Sequence, residues 1–356
     1  MDKQAYLILQ NGMAFAGARF GAEGEIAGEV VFTTGMTGYL EALTDPSYHG
    51  QILVQTFPLI GNYGVIPEDF ESQGPKVRAY IVRECCQAPS NFRCQGTLEA
   101  YLKEQKVIGL CGVDTRALTR AIRENGVMNG IITDSKTLTP AQQALLDSYE
   151  IRGAVQAVTT PEVRRYEAEG EQKHRVALWD FGTKRSLIQA LRQRGCQVTV
   201  WPAGSTAAEI LADEPEGIVL SEGPGDPAEN AALIEQIAQL CQAKLPVLGV
   251  GLGHELLALS QGAKTYRLKH GHRGANQPVK DLATGRVCAT SQNHGYAVDS
   301  ESVQASARVC RVNVNDGTCA GIAYEGWGDS VQFAATKDVL DAWMAKIEGG
   351  NGHAAF

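Results

Sequence analysis

The chain has 356 residues, 44% hydrophobic and 20% charged, with a formal charge of −8 and a pI near 5.5. That length accommodates two globular domains, and the acidic balance argues against a nucleic-acid binder, which needs a basic face to neutralise phosphates. No stretch approaches the roughly 18 apolar residues of a membrane span. The opening MDKQAYLILQNG lacks a signal-peptide pattern, so the chain is expected to be cytoplasmic and to engage no membrane.

Residues 1–150 alternate in short runs, YLILQNG, GEVVFTTG and QILVQTFPLIG, cut by glycine turns and followed by a helical stretch TRALTRAIRENG with an Asn-Gly stop. This predicts a β-rich or mixed N-terminal domain. Residues 151–174, containing TTPEVRRYEAEGEQKH, are polar and poor in apolar periodicity, which predicts a linker. From 175 to 350, strands alternate with helices: RVALWDFG, KRSLIQALRQRG, CQVTVWP, a helix near TAAEILADE, GIVLSEG, a helix near 229–243, and PVLGV. That order predicts a doubly wound α/β domain with helices on both faces of a parallel sheet. RVCATSQNHGYAVD is expected to pair with a neighbour through the turn ATGR, and DSVQF reads as a strand. In the last helix, Val339, Leu340, Trp343, Met344 and Ile347 share one face.

Nine cysteines form no C-x-x-C and no zinc spacing, which implies reduced thiols and no metal site; Cys241 and Cys288 read as small buried hydrophobes. The basic cluster KTYRLKHGHRG at 264–274 reads as a solvated loop or a small anion or subunit contact. There is no P-loop and no carboxylate cluster suited to magnesium.

The most informative stretch is PVLGVGLGHELLAL, a buried strand turning through glycines into a helix. This is the arrangement that holds a nucleophile above a sheet, beside backbone N–H groups able to stabilise an oxyanion. The corner residue is Gly251, which has no atom able to attack a carbonyl.

LSEGPGDP at 220–227, the elbow, and SQNHGYAVD at 291–299 resemble, in order, the motifs of class I glutamine amidotransferase domains. GEVVFTTGMTGYLEALTDPSYHGQILVQTFPLIGNYG and GVDTRALTRAIRENG are similar to the small subunits of carbamoyl-phosphate synthetases. The resemblance implies an N-terminal synthetase small-subunit domain, a class I amidotransferase-like domain, and a large partner subunit holding ATP and magnesium, with no cofactor in this chain. In that family the small subunit hydrolyses glutamine, and the large one uses the ammonia to make carbamoyl phosphate for arginine or pyrimidine synthesis. Its triad of cysteine, histidine and glutamate falls here on Gly251, Ala334 and Thr336, the last two within VQFAATKD, where the chain also runs shorter than the family pattern.

The same resemblance places glutamine-binding positions at Ser47, Gly223, Gly225, Leu252, Asn293, Gly295 and Tyr296. At a further binding position the family has glutamine and this chain has Glu255, an acceptor-only group when ionised, which needs a cation or an upward pKa shift if buried. His254, His294, Ser221 and Ser291 are expected to be structural rather than substitute catalysts. Three functional readings stay open: a non-catalytic synthetase subunit that stabilises, regulates or delivers ammonia, a glutaminase with a relocated nucleophile, and a free-standing glutamine-pocket sensor.

Overall fold

The computed structural model describes residues 3–349, so residues 1–2 of the expected N-terminal domain and residue 350 of the second lie outside the described residues. The chain divides into two compact units between Arg152 and Gly153.

The first unit is built on a closed barrel. In chain order it comprises β1 (Gln4–Leu9), β2 (Ala14–Gly21), β3 (Ile26–Thr33), α1 (Tyr39–Thr44), β4 (Gln51–Gln55), β5 (Leu59–Ile60), β6 (Ala79–Ile81) and β7 (Glu84–Cys85). It continues with α2 (Leu98–Glu104), β8 (Ile108–Cys111), α3 (Thr115–Asn125), β9 (Met128–Thr133) and α4 (Pro140–Ser148). The barrel order is β1-β2-β8-β6-β4-β3-β9, closed by β9 on β1, with β5 and β7 as a separate parallel ribbon. Period-2 alternation explains it: Leu7, Val30, Ile52, Val54, Ile81 and Leu110 converge from around the ring into one cluster. Neighbouring Val31, Leu53 and Tyr80 face the other way, packing with Leu40 and Leu43 of α1 and Leu98 and Leu102 of α2. The helix expected at TRALTRAIRENG is α3; the Asp114 side chain caps it by accepting from the Ala117 N–H at 3.0 Å, and Gly126 ends it.

The second unit holds α5 (Ala154–Val158), β10 (Arg164–Tyr166), β11 (His174–Asp180), α6 (Arg185–Arg192), β12 (Cys196–Pro202), α7 (Ala207–Ala212), β13 (Gly217–Leu220) and α8 (Ala231–Leu240). Then come β14 (Val247–Val250), α9 (Leu252–Ser260), β15 (Thr265–Asp281), β16 (Val287–Val298), β17 (Ala307–Asn313), β18 (Cys319–Tyr324), β19 (Gly328–Val331) and α10 (Lys337–Ile347). A ten-stranded sheet runs β10-β12-β11-β13-β14-β19-β18-β17-β15-β16, parallel from β12 through β19. Along its central strands alternate residues feed opposite cores. Trp179 and Leu220 pack with Ile237 of α8 and Leu256 of α9, whereas Leu178 and Val219 pack with Leu191 of α6 and Trp343 of α10. Covering both faces makes these strands continuously apolar, which is why they read so clearly in the sequence.

Two local expectations need correction. The stretch 151–174 is not a plain tether: Val155 of α5 is buried in the core, and β10 adds antiparallel to the edge of β12. Arg164–Tyr166 lacks an apolar pattern because backbone pairing at an edge requires none. The basic cluster 264–274 is not a loop but the first part of β15, hairpin partner of β16 with a register shift between Arg267 and His272. Arg267 and Lys269 are exposed, as charged side chains of an antiparallel strand with one solvated face can be. Cys241 and Cys288 are half-buried, each packed against a core cluster.

Candidate functional site

The site is built on two corners that follow adjacent parallel strands, β14 and β19. At the first, Gly251 has φ 55° and ψ −116°, a backbone state that strains any residue with a Cβ. Its N–H donates to Val331 O at 2.9 Å, so β19 pins the corner. Gly253 N–H donates to Ser221 O at 2.9 Å, and His254 N–H to Gly251 O at 3.0 Å. Leu252, 3% exposed, opens α9, and its N–H has no intrahelical acceptor, the donor an oxyanion would use. Gly223 meets the same corner: a Cβ there would lie 2.3 Å from Phe181 O and 2.9 Å from Leu252 Cδ2, so only glycine fits. Gly225 follows with φ 92°.

At the second corner, Gln332 and Phe333 are buried and the Ala334 N–H donates to Ser291 O at 2.9 Å. Thr336 is the N-cap of α10, its hydroxyl accepting from the Val339 N–H at 3.4 Å. Only three residues join Phe333 to the helix, and none carries an imidazole or a carboxylate.

The neighbouring polar groups are already engaged. His254 is fully buried with Nδ1 2.7 Å from Ser330 Oγ, and burial pushes its pKa down to about 3. His294 Nδ1 lies 2.6 Å from Tyr296 O and Nε2 2.9 Å from Gln292 Oε1, with its pKa held well below the ordinary range by burial and by nearby His272. His272 continues this network, its Nε2 2.7 Å from Asp316 Oδ2. The Ser221 hydroxyl accepts from Phe181 N–H at 2.9 Å and donates to Glu222 O at 2.8 Å. Ser291 is exposed. All four residues expected to be structural therefore sit in structural contacts or in solvent.

Two family descriptions match the chain: carbamoyl-phosphate synthase small chain, CPSase domain, over residues 7–132, and glutamine amidotransferase class-I over residues 177–333. The carbamoyl phosphate synthase small chain of Clostridium perfringens is 50% identical over 323 residues, covering 90% of each chain. That of Listeria innocua is 47% identical over 321 residues, covering 90% of this chain and 87% of its own. The chain belongs to the carbamoyl-phosphate synthase small-chain family. Among solved structures, a glutamine amidotransferase from Thermotoga maritima is 17% identical with a TM-score of 0.38, covering 49% of this chain and 82% of that one.

In this small chain the elbow gathers Gly223, Gly251, Leu252 and Glu255. Asn293, Gly295 and Tyr296 lie on β16, with Asn293 across from Arg273 and Tyr296 across from Arg267. Ser47 belongs to the first unit, in a buried turn where its N–H donates to Asp45 Oδ1 at 2.9 Å. Glu255, in the first turn of α9, is 3% exposed, and its Oε1 makes no hydrogen bond among the described residues. Burial drives its pKa well above the carboxylate range; the Gln332 amide opposes that shift and Asp226 adds to it. Glu255 therefore takes the upward-shift route of the two expected for a buried carboxylate.

One residue the motif reading passed over is Glu222. It is 7% exposed, with its carboxylate 3.8 Å from Lys184 Nζ, and its Cβ would lie 3.0 Å from a Cβ on residue 251. The signal was available: a carboxylate immediately before the glycine of LSEGPGDP stands at the mouth of the corner.

Proposed function

We propose that this chain is the non-hydrolysing small subunit of a carbamoyl-phosphate synthetase that runs on free ammonia, bound to a large subunit supplying ATP and magnesium chemistry. One observation carries the reading: both corners lack reactive side chains, Gly251 at the first and Ala334 and Thr336 at the second. Amide hydrolysis requires a nucleophile, a base that shuttles its proton and a group that orients the base. The histidines nearest the elbow are buried, neutral and hydrogen-bonded elsewhere, which disfavours a relocated base. Glu255 argues against the sensor reading, since a buried carboxyl there offers at most one hydrogen-bond donor where the amide of the family's glutamine offers two. What remains for the chain is to stabilise the large subunit and to handle ammonia.

The test is synthesis of carbamoyl phosphate by the co-purified pair, with ammonium chloride or glutamine as nitrogen source. Synthesis from ammonium and none from glutamine is the expected result. Glutamate release dependent on this chain overturns the reading, and failure of the two chains to co-purify leaves the sensor.

A further inference from the structure

One cavity in the second unit lies apart from the elbow. It spans about 410 Å³ between the start of β15, the turn that follows β16 and the turn joining β17 to β18, and it shares no residue with the glutamine-binding positions. That volume falls in the range of small-molecule sites. Its chemistry comes from Lys264, Tyr266, Asp299, Glu301, Asp316 and Thr318. Two of its walls are tied together, since the Asp299 N–H donates to Lys264 O at 2.8 Å. Asp316 is held on both oxygens: Oδ1 accepts from the Thr318 N–H at 3.1 Å and from its hydroxyl at 2.8 Å, and Oδ2 lies 2.7 Å from Nε2 of His272, which is 7% exposed. This carboxylate is therefore anchored to the buried network behind it.

Charge selects the occupant. Lys264, the first residue of the basic cluster, forms no ion pair among the described residues, although three carboxylates line the same cavity. Asp299 and Glu301 form none there either, and the contact of Asp316 is with His272. Opposite charges that line one cavity without closing on each other leave room for a ligand carrying both signs. Tyr266 is 44% exposed, and burial first, then the fields of Asp316 and Asp299, raise the pKa of its hydroxyl, which places the ring near both carboxylates. An exposed ring so placed offers its face to an alkylammonium or guanidinium group. One cation against three carboxylates leaves the lining with an excess of negative charge, so a ligand with one anionic and two cationic groups suits it better than a neutral zwitterion.

We propose that this cavity binds a basic α-amino acid, its carboxylate paired with Lys264 and its two cationic groups shared among Tyr266, Asp299, Glu301 and Asp316. The site is independent of the ammonia-using role argued above, so either stands without the other. Each contact is partly exposed and worth little alone, so affinity comes from several acting together and weakens as salt rises.

The experiment is a ligand-observed NMR titration of the full chain with L-lysine, L-alanine or L-glutamate at fixed ionic strength. The expected result is saturable binding of L-lysine, weaker binding of L-alanine and none of L-glutamate. K264M should weaken L-lysine binding about threefold or more, yet leave L-lysinamide, which has no carboxylate, unaffected. D299N keeps a side chain able to cap the turn at Ser300 and should weaken both ligands. Y266L, at an exposed position, should weaken both as well, and it tests the site even if D299N disturbs the turn. Equal, non-saturating responses to the three amino acids, or L-lysine binding unchanged in K264M and Y266L, overturn the site. Equal losses for L-lysine and L-lysinamide in K264M overturn the pairing of Lys264 with the carboxylate.

Discussion

The corner after β14 and the corner after β19 follow paired parallel strands, yet they are built in different ways. At the first the backbone of a nucleophile elbow is complete: Gly251 keeps φ 55° and ψ −116°, Val331 O holds its N–H, and the helix N-terminus follows at once. Only a side chain is missing. At the second the backbone itself serves another purpose, with Thr336 capping α10 and Ala334 tied to Ser291. On the proposed reading, the first corner lacks a nucleophile by substitution and the second lacks a base because the connection is built differently. Chemistry that depends on both corners is therefore recoverable at one of them by mutation and at the other only by inserting chain.

The largest effect expected from this contrast is on glutamine hydrolysis. G251C should present a thiol at the elbow, and a thiol reagent should label it, yet glutamate release should stay at background. Losing a triad base alone lowers turnover by roughly six powers of ten, and the losses are not additive, so restoring one member recovers little. Mass spectrometry after alkylation and a glutamate assay on the same sample separate the two outcomes. Turnover in G251C would mean that the β19 corner is dispensable, and the contrast between the corners would fail.

A smaller effect, on stability against acid, tests how the two strands are tied. His254 on α9 contacts Ser330 on β19 and stays neutral when folded, with its pKa pushed to about 3 against an ordinary value near 6.5. The unfolded chain therefore binds a proton there from pH 6.5 downward that the folded chain refuses. Stability is fully present above pH 6.5 and falls as pH drops, levelling off near 3, by on the order of a few kcal/mol. His294, lowered in the same direction, adds to the slope. H254Q can still bond Ser330 but cannot titrate, so denaturant midpoints measured across this range should fall less steeply than in the native chain. An unchanged slope would place the acid sensitivity elsewhere.

How much of this was readable follows from which forces are local. The elbow was legible because its strand, glycines and helix are consecutive, and the α/β order of the second unit because both sheet faces are buried. Closure of β9 onto β1 was not legible, since pairing Leu9 with Gly130 joins residues far apart in sequence and leaves no periodic mark. Arg164–Tyr166 was hidden because an edge strand can be recruited by backbone hydrogen bonds alone, and Thr265–Asp281 because its charged residues mimic a loop. At the candidate site, Glu255 was singled out through a single departure from a motif. Glu222 was missed because its significance lies in a 3.0 Å approach to the position of a side chain that is absent. The network of His272, Gln292 and His294 was invisible for the same reason, being assembled across β15 and β16.

The contrast also predicts unequal tolerance of one added side-chain atom. G251A must place a Cβ at positive φ and 3.0 Å from Glu222 Cβ, which should destabilise the chain by about 1–3 kcal/mol. A334S, at a half-buried position outside the strained elbow, should change stability by less than about 0.5 kcal/mol. Urea midpoints of the two variants measure the difference. Equal effects would show that the elbow backbone is no longer held in its strained form.

The last effect concerns Thr336, where the family resemblance places an orienting carboxylate. Here its hydroxyl accepts from the Val339 N–H at 3.4 Å, and the helix it opens buries Leu340, Trp343 and Met344 against one face of the sheet. The hydrogen bond is long, so its loss belongs near the middle or lower end of the range for N-caps. T336A should lower stability by about 1 kcal/mol, and T336S, which keeps the hydroxyl, should stay close to native. Neither change should alter synthesis from ammonium at a temperature where the chain is folded, because the cap faces its own helix and touches no reacting group. If T336A leaves the urea midpoint unmoved but reduces ammonium-dependent synthesis, the residue acts in the site rather than on the helix, and the second corner has kept a chemical role that its backbone conceals.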